Sequence, residues 1–124
     1  MCERIKAAFP ALEPGDIQVL EVGTGPGFLS ILLAEEGYNI TAVDLTPNML
    51  KEAKANAGAL ASNINFMEMN AEELTFEDNR FHAIVTRNLT WNLPHPEKAY
   101  SEWCRVLKKD GILLNFDANW YNYL

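Results

Sequence analysis

Cysteine is nearly absent: Cys2 and Cys104 are the only two in 124 residues. A pair so far apart makes neither a disulfide framework nor a metal cluster, so no metal site is expected and a reducing cytoplasmic setting is. Long apolar runs are missing too. The most apolar stretch, Phe28 to Ala34, is short and interrupted by Ser30, and Glu3, Arg4 and Lys6 precede any apolar run at the N-terminus. These features argue against a membrane span and a signal peptide. Basic residues are scarce, with 10 Lys and Arg against 17 Asp and Glu and a formal net charge of -7. Such a chain repels phosphate backbones and anionic lipid, so neither nucleic acid nor a membrane is an expected partner, whereas a small molecule is. The length leaves room for one domain, 1–124, and none for a second catalytic domain. With 48% hydrophobic and 22% charged residues, the composition is that of an ordinary globular protein rather than a disordered, collagenous or coiled-coil chain.

Five short β-branched or alternating runs stand out: Ile17 to Val22, Asn39 to Asp44, Ile64 to Met69, Phe81 to Arg87 and Gly111 to Asp117. Each reads as a strand. Helical patterns lie between them: Phe28 to Glu36 stopped by Gly37, Pro47 to Ala61 with Thr46 as N-cap, and Pro96 to Lys108 with Ala99, Trp103, Val106 and Leu107 on one face. Met1 to Ala11 reads as a further short helix. Strand and helix alternate, which predicts a parallel sheet with right-handed crossovers and helices on both faces, a doubly wound α/β fold. Asn70 to Arg80 breaks the alternation, being polar, acidic and too irregular for more than one helical turn.

The chemistry concentrates where Gly23, Gly25 and Gly27 follow the first strand and precede a helix, in V-L-E-V-G-T-G-P-G-F. Glycines there let the chain turn sharply and let a ligand lie against main chain. A dinucleotide fingerprint needs Gly or Ala at its sixth position, where this chain has Phe28, and Pro26 removes one N–H from any phosphate nest. Asp44 ends the second strand at the place from which a carboxylate accepts both hydroxyls of a ribose. Taken alone, Asp44 before Leu45-Thr46-Pro47 is also ordinary turn chemistry.

Together these residues resemble the class I S-adenosylmethionine-dependent methyltransferases of the small-molecule type, closest to those of quinone biosynthesis. The resemblance runs over nearly the whole chain and implies S-adenosyl-L-methionine as cofactor and a small-molecule methyl acceptor. E-V-G-T-G-P-G matches the family's glycine loop and assigns Glu21, Gly23, Thr24, Gly25 and Gly27. V-D-L-T-P-N-M-L is similar to the second motif and assigns Asp44 to the ribose and Leu45 and Met49 to the adenine. N-A-E-E-L-T-F resembles the family's D-A-E-x-L-P-F and assigns Asn70, Ala71 and Glu72 to the adenine edge, with Asn70 replacing the usual acid. F-H-A-I-V-T-R-N and W-C-R-V-L-K-K-D-G-I-L-L resemble the fourth strand and the run into the fifth, where the main chain at Arg87 is implied to receive the cofactor's ammonium together with that at Gly23. The implied sheet order is 3-2-1-4-5, with the ligand beyond the carboxyl ends of the strands at the switch point.

On the acceptor side the candidates are Asn88, Trp91 and His95. Asn88-Leu89-Thr90-Trp91 has a weak likeness to the N-P-P-aromatic motif of amino-group methyltransferases but lacks both prolines. A general base is required only if the acceptor must lose a proton, and His95, Asp117 and Asp110 are the groups near strand ends. His82, Tyr100 and Trp103 read as core residues. Two other functions stay open at this level: an S-adenosylmethionine- or S-adenosylhomocysteine-binding module without catalysis, and a nicotinamide-dependent oxidoreductase, against which Phe28 counts. Family members continue past the fifth strand into a helix and β-hairpin, whereas this sequence stops at Leu124. It is therefore expected to be C-terminally truncated, to lack the hairpin, and to form a homodimer through its C-terminal edge strand.

Overall fold

The computed structural model describes residues 2–87 and 93–116. Nine elements carry the fold: α1 (Cys2–Ala8), β1 (Gln18–Val22), α2 (Phe28–Glu35), β2 (Asn39–Asp44), α3 (Pro47–Ala57), β3 (Ile64–Glu68), β4 (Phe81–Arg87), α4 (Pro96–Val106) and β5 (Leu107–Phe116). The strands form one sheet in the order β3-β2-β1-β4-β5, parallel at every junction. This is the doubly wound architecture, and its order reverses between β1 and β4.

The strands are apolar on both faces because helices or loops cover both, and alternation decides which side chain goes where. Val19, Ile40, Ala83 and Val85 face one way, with Ile5 of α1, Leu33 and Ala34 of α2 and Ala57 of α3. Leu20, Val22, Val43 and Ile84 face the other way, against Ala99, Trp103 and Val106 of α4 and against Met69, Leu74 and Phe76. Fully burying one such Leu, Ile or Val contributes about 1.5–3 kcal/mol. The second layer is half helix and half irregular chain, because residues 69–80 contain neither helix nor strand. That segment matches its polar, aperiodic sequence.

Several boundaries differ from the sequence reading: α4 ends at Val106 rather than Lys108, which places Leu107 in β5 and off the helix face. α3 ends at Ala57, and Gly58–Asn63 continues as a tighter 3₁₀ turn, because Gly58 takes a φ of 56° that ends the α-helix. The first helix closes at Ala8 rather than Ala11. β5 begins at Leu107 instead of Gly111: Leu107 pairs with Phe81, and the pairing then jumps to Ile112 opposite Ala83. Lys108 to Gly111 bulge between those two contacts, where the sequence reading ended a helix at Lys108 and began the strand at Gly111. Thr46 precedes α3 as expected, but its side chain makes no capping bond. Asp44 Oδ1 instead accepts the Thr46 N–H at 2.9 Å.

Candidate functional site

The carboxyl ends of β1, β2 and β3 converge on one cleft. β1 runs into the glycine loop, whose first two N–H groups, on Gly23 and Thr24, both donate to the Val43 carbonyl at 2.9 and 3.0 Å. The loop is thereby stitched to the end of β2. Gly25 N–H donates to Asp44 Oδ2 at 2.9 Å, so the two oxygens of one carboxylate hold the glycine loop and the start of α3 together. Asn56 of α3 donates from Nδ2 to the Pro26 carbonyl at 2.9 Å and pins the loop from the other side.

Two glycines do different work. Gly25 has a φ of 53°, and a Cβ built on it meets nothing within 4 Å, so its backbone borders open space. Gly27 has a φ of 86°, and its Cβ would lie 2.8 Å from that of Ala53. Gly27 therefore permits the close approach of α2 and α3. The role that a dinucleotide loop gives to its sixth position is taken here one residue earlier, which leaves Phe28 exposed.

Glu21 does not reach the cleft surface. It is 2% exposed, and its Oε1 accepts from Thr24 Oγ at 2.7 Å and Ser30 Oγ at 2.6 Å. The carboxylate braces the loop and the first turn of α2 from beneath. Thr24 is buried with it.

The cleft itself measures about 310 Å³. Gly23, Asp44, Leu45 and Thr46 form one side, Met69, Asn70, Ala71 and Glu72 the second, and Leu93 and Pro94 the third. Leu45 is 62% exposed, an apolar surface presented at the cleft. Asn70 Oδ1 accepts the Glu72 N–H at 2.9 Å, and Glu73 N–H donates back to the Asn70 carbonyl at 3.0 Å, which closes a tight turn at the rim. That bond also fixes which end of the Asn70 amide is oxygen. Glu72 Oε2 accepts the His95 N–H at 3.1 Å and joins the second side to the third. The His95 ring is half-exposed and lies 3.8 Å from Glu97.

Of the residues assigned from sequence, Gly23, Asp44, Leu45, Asn70, Ala71 and Glu72 line the cleft. Glu21, Thr24, Gly25 and Gly27 shape its loop. Met49 sits in the first turn of α3, half-buried, and is not among the lining residues. Arg87 ends β4. Asn88, Trp91 and Asp117 lie outside the described residues. Asp110 falls at the opposite end of the sheet, beside His82 and Lys108, and that position removes it as a base for chemistry in this cleft. His82 is half-buried there rather than deep in the core, and its Nδ1 accepts the Gln18 N–H at 2.9 Å. Burial, and secondarily Lys108, pull its imidazole below the ordinary histidine value. The lining residues that sequence reasoning missed are Thr46, Met69, Leu93 and Pro94. Met69 was legible as the last residue of an apolar run, whereas Leu93 and Pro94 carry no local signal and enter only because α4 brings them back over the strand ends.

The set of groups suits a nucleoside: a carboxylate for a vicinal diol, an exposed apolar side chain for a flat ring, and an amide turn at the ring's edge. Among the described residues, no group of three or more His, Cys, Asp or Glu is arranged to hold a metal ion. No described helix is long and apolar enough to cross a membrane.

Comparison with known proteins bears on the family and the fold. Residues 20–115 match the model of a family described as a methyltransferase domain. An uncharacterised protein of Haemophilus influenzae is 39% identical over 108 residues, covering 83% of this chain and 43% of its own. The ubiquinone/menaquinone biosynthesis C-methyltransferase UbiE of Zymomonas mobilis is 38% identical over 94 residues, covering 75% of this chain and 39% of its own. Among solved structures, a candidate methyltransferase from Bacillus halodurans superposes with a TM-score of 0.77 at 32% identity, over 91% of this chain and 50% of that one. The chain thus spans less than half the length of these two curated relatives.

Proposed function

This chain belongs to the class I S-adenosylmethionine-dependent methyltransferases, and from that premise we propose that it binds S-adenosyl-L-methionine in the Asp44 cleft for methyl transfer to a small molecule. The observation that carries the proposal is the convergence of the glycine loop, the β2-ending carboxylate and the Asn70 turn on one cleft at the sheet's switch point. Asp44 holds the ribose hydroxyls with lone pairs left over from its bonds to Gly25 and Thr46. Leu45 lies against the adenine, and Asn70 and Ala71 meet its edge. Glu21 and Thr24 keep the loop rigid, and the main chain near Gly23 and Arg87 takes the ammonium.

When bound, the cofactor supplies a methyl group on a sulfonium, whose sulfur keeps the C–S electron pair as the acceptor attacks and S-adenosylhomocysteine forms. The protein's share is alignment and exclusion of water, so no nucleophilic side chain is required. Asn88, Trp91 and His95 are assigned to the acceptor side, with His95 the base candidate nearest the described cleft. A surplus of carboxylates favours a neutral or cationic acceptor over nucleic acid. We further propose that two chains pair along β5.

Calorimetry with S-adenosylmethionine and S-adenosylhomocysteine tests the cofactor assignment. Both bind the wild type, and Asp44→Ala weakens both by roughly ten- to hundredfold through loss of charge-assisted bonds to the diol. No binding by wild type ends this reading. An unchanged dissociation constant in Asp44→Ala removes Asp44 from the site.

A further inference from the structure

The wall of the cleft formed by residues 69–72 opens a segment that has no ladder or helix to satisfy its backbone. The backbone of its buried residues, Ala71, Leu74 and Phe76 among them, must find partners elsewhere. It finds them on one face of α4. Trp103, wholly buried, donates from Nε1 to the Ala71 carbonyl at 3.1 Å. Glu102 Oε1 accepts the Leu74 N–H at 3.0 Å. Arg105 spreads its planar fork over the Leu74 carbonyl at 2.9 Å, the Phe76 carbonyl at 2.8 Å and Asp78 Oδ1 at 2.7 Å, while Nε holds Glu102 at 2.7 Å. Arg105 keeps the Glu102 carboxyl below its ordinary range, which marks the pair as engaged.

The decisive detail is a single peptide plane. The Ala71 carbonyl and the Glu72 N–H belong to one rigid unit. Trp103 grips its oxygen, and its N–H is the group that binds Asn70 Oδ1 at 2.9 Å. Trp103 therefore fixes the plane against which the Asn70 amide of the cleft wall is oriented, and Oδ1 keeps a lone pair beyond its bond to Glu72. Phenylalanine keeps a six-membered aromatic ring there and removes the pyrrole ring with its N–H.

We infer that Trp103, supported by Glu102 and Arg105, is a positioning residue that orients the Asn70 amide and so sets the preference of the cleft for an amino-substituted purine. The inference rests on the cofactor reading given above. An oriented carbonyl oxygen accepts from the adenine amino group and repels the oxo group of hypoxanthine. An amide free to turn serves both.

The test compares S-adenosyl-L-homocysteine with S-inosyl-L-homocysteine by calorimetry, in wild type, Trp103→Phe and Arg105→Lys. Wild type prefers the adenine compound by about tenfold, the loss expected for one unmatched hydrogen bond at the ring edge. Trp103→Phe narrows the preference to within about threefold, and Arg105→Lys, whose ammonium cannot span the same carbonyls, shifts it the same way by less. Hydrogen exchange of the Glu72 and Leu74 amides in the ligand-free variant accelerates while the β1 and β4 amides stay protected, which reports on the turn even where affinity is low. A purely structural role lowers both affinities together and leaves the ratio unchanged, which overturns the inference and leaves the cofactor reading intact. Failure of wild type to bind S-adenosyl-L-homocysteine removes the cofactor reading itself and this inference with it.

Discussion

At the scale of single residues, most polar groups in this chain serve twice, and that shapes what sequence can reveal. Asp44 does turn chemistry with both oxygens, each of which binds one backbone N–H, and the remaining lone pairs are the ones the proposed function gives to a diol. The turn reading holds, and it leaves the carboxylate able to serve the other one as well. His82 shows a simpler dependence. Its Nδ1 accepts the Gln18 N–H only while unprotonated, and burial with Lys108 lowers its affinity for a proton in the folded state. The unfolded chain takes up that proton first, so the stabilisation is complete above the ordinary histidine value and is lost as pH falls through the lower folded value. Urea midpoints measured from about pH 7 down to about pH 5 should fall for wild type, with a smaller fall for His82→Asn, whose amide oxygen accepts the same bond without titrating in that range. Parallel curves for the two proteins would show that the imidazole is not the group responsible. Sequence gave Asp44 its place through position at a strand end. It could not show that Glu21 is buried beneath the glycine loop, because a buried acid with two hydroxyl partners has the same letters as an exposed one.

At the scale of elements, β2, β4 and the start of α2 were legible to the residue, because β-branched runs and a glycine loop are local signals. Boundaries set by distant partners were not. The early start of β5 at Leu107 depends on Phe81 across the sheet, and the end of α3 on a glycine inside a sequence that otherwise continues helical. The loop-to-helix junction yields a direct test of packing. Gly27→Ala combines an unfavourable φ of 86° with a Cβ 2.8 Å from Ala53, whereas Gly25→Ala combines a φ of 53° with open space. The backbone penalty is common to both, at roughly 1 kcal/mol, and overpacking against α3 adds about 1–3 kcal/mol for Gly27 alone. Denaturant titrations should place Gly27→Ala well below Gly25→Ala in stability at similar m-values. Equal losses would mean that α2 and α3 move apart without cost and that the glycine serves conformation only.

At the scale of the molecule, the sheet order leaves β5 at one edge, paired with β4 only among the described residues. Beside it Arg4 and Ala7 of α1, with Ile112, Leu113 and Leu114, border an open groove of about 440 Å³. An edge strand with apolar neighbours is a template for another chain, and the inexpensive partner is a second copy of itself. Charge opposes that pairing, since each copy brings a net -7. The two contributions respond oppositely to salt. Raising ionic strength from about 0.1 M to about 1 M shortens the screening length from roughly 10 Å to roughly 3 Å, which weakens the repulsion and leaves backbone pairing and apolar contact in place. Light scattering over a concentration series should therefore show a mass that rises toward a dimer, and at a given concentration rises further with salt. Association that weakens with salt would indicate an interface held by ion pairs elsewhere on the surface. A monomer mass at every concentration and both salt levels would show that the β5 edge is protected, and the pairing proposal would fall without touching the Asp44 cleft, which lies at the carboxyl ends of other strands.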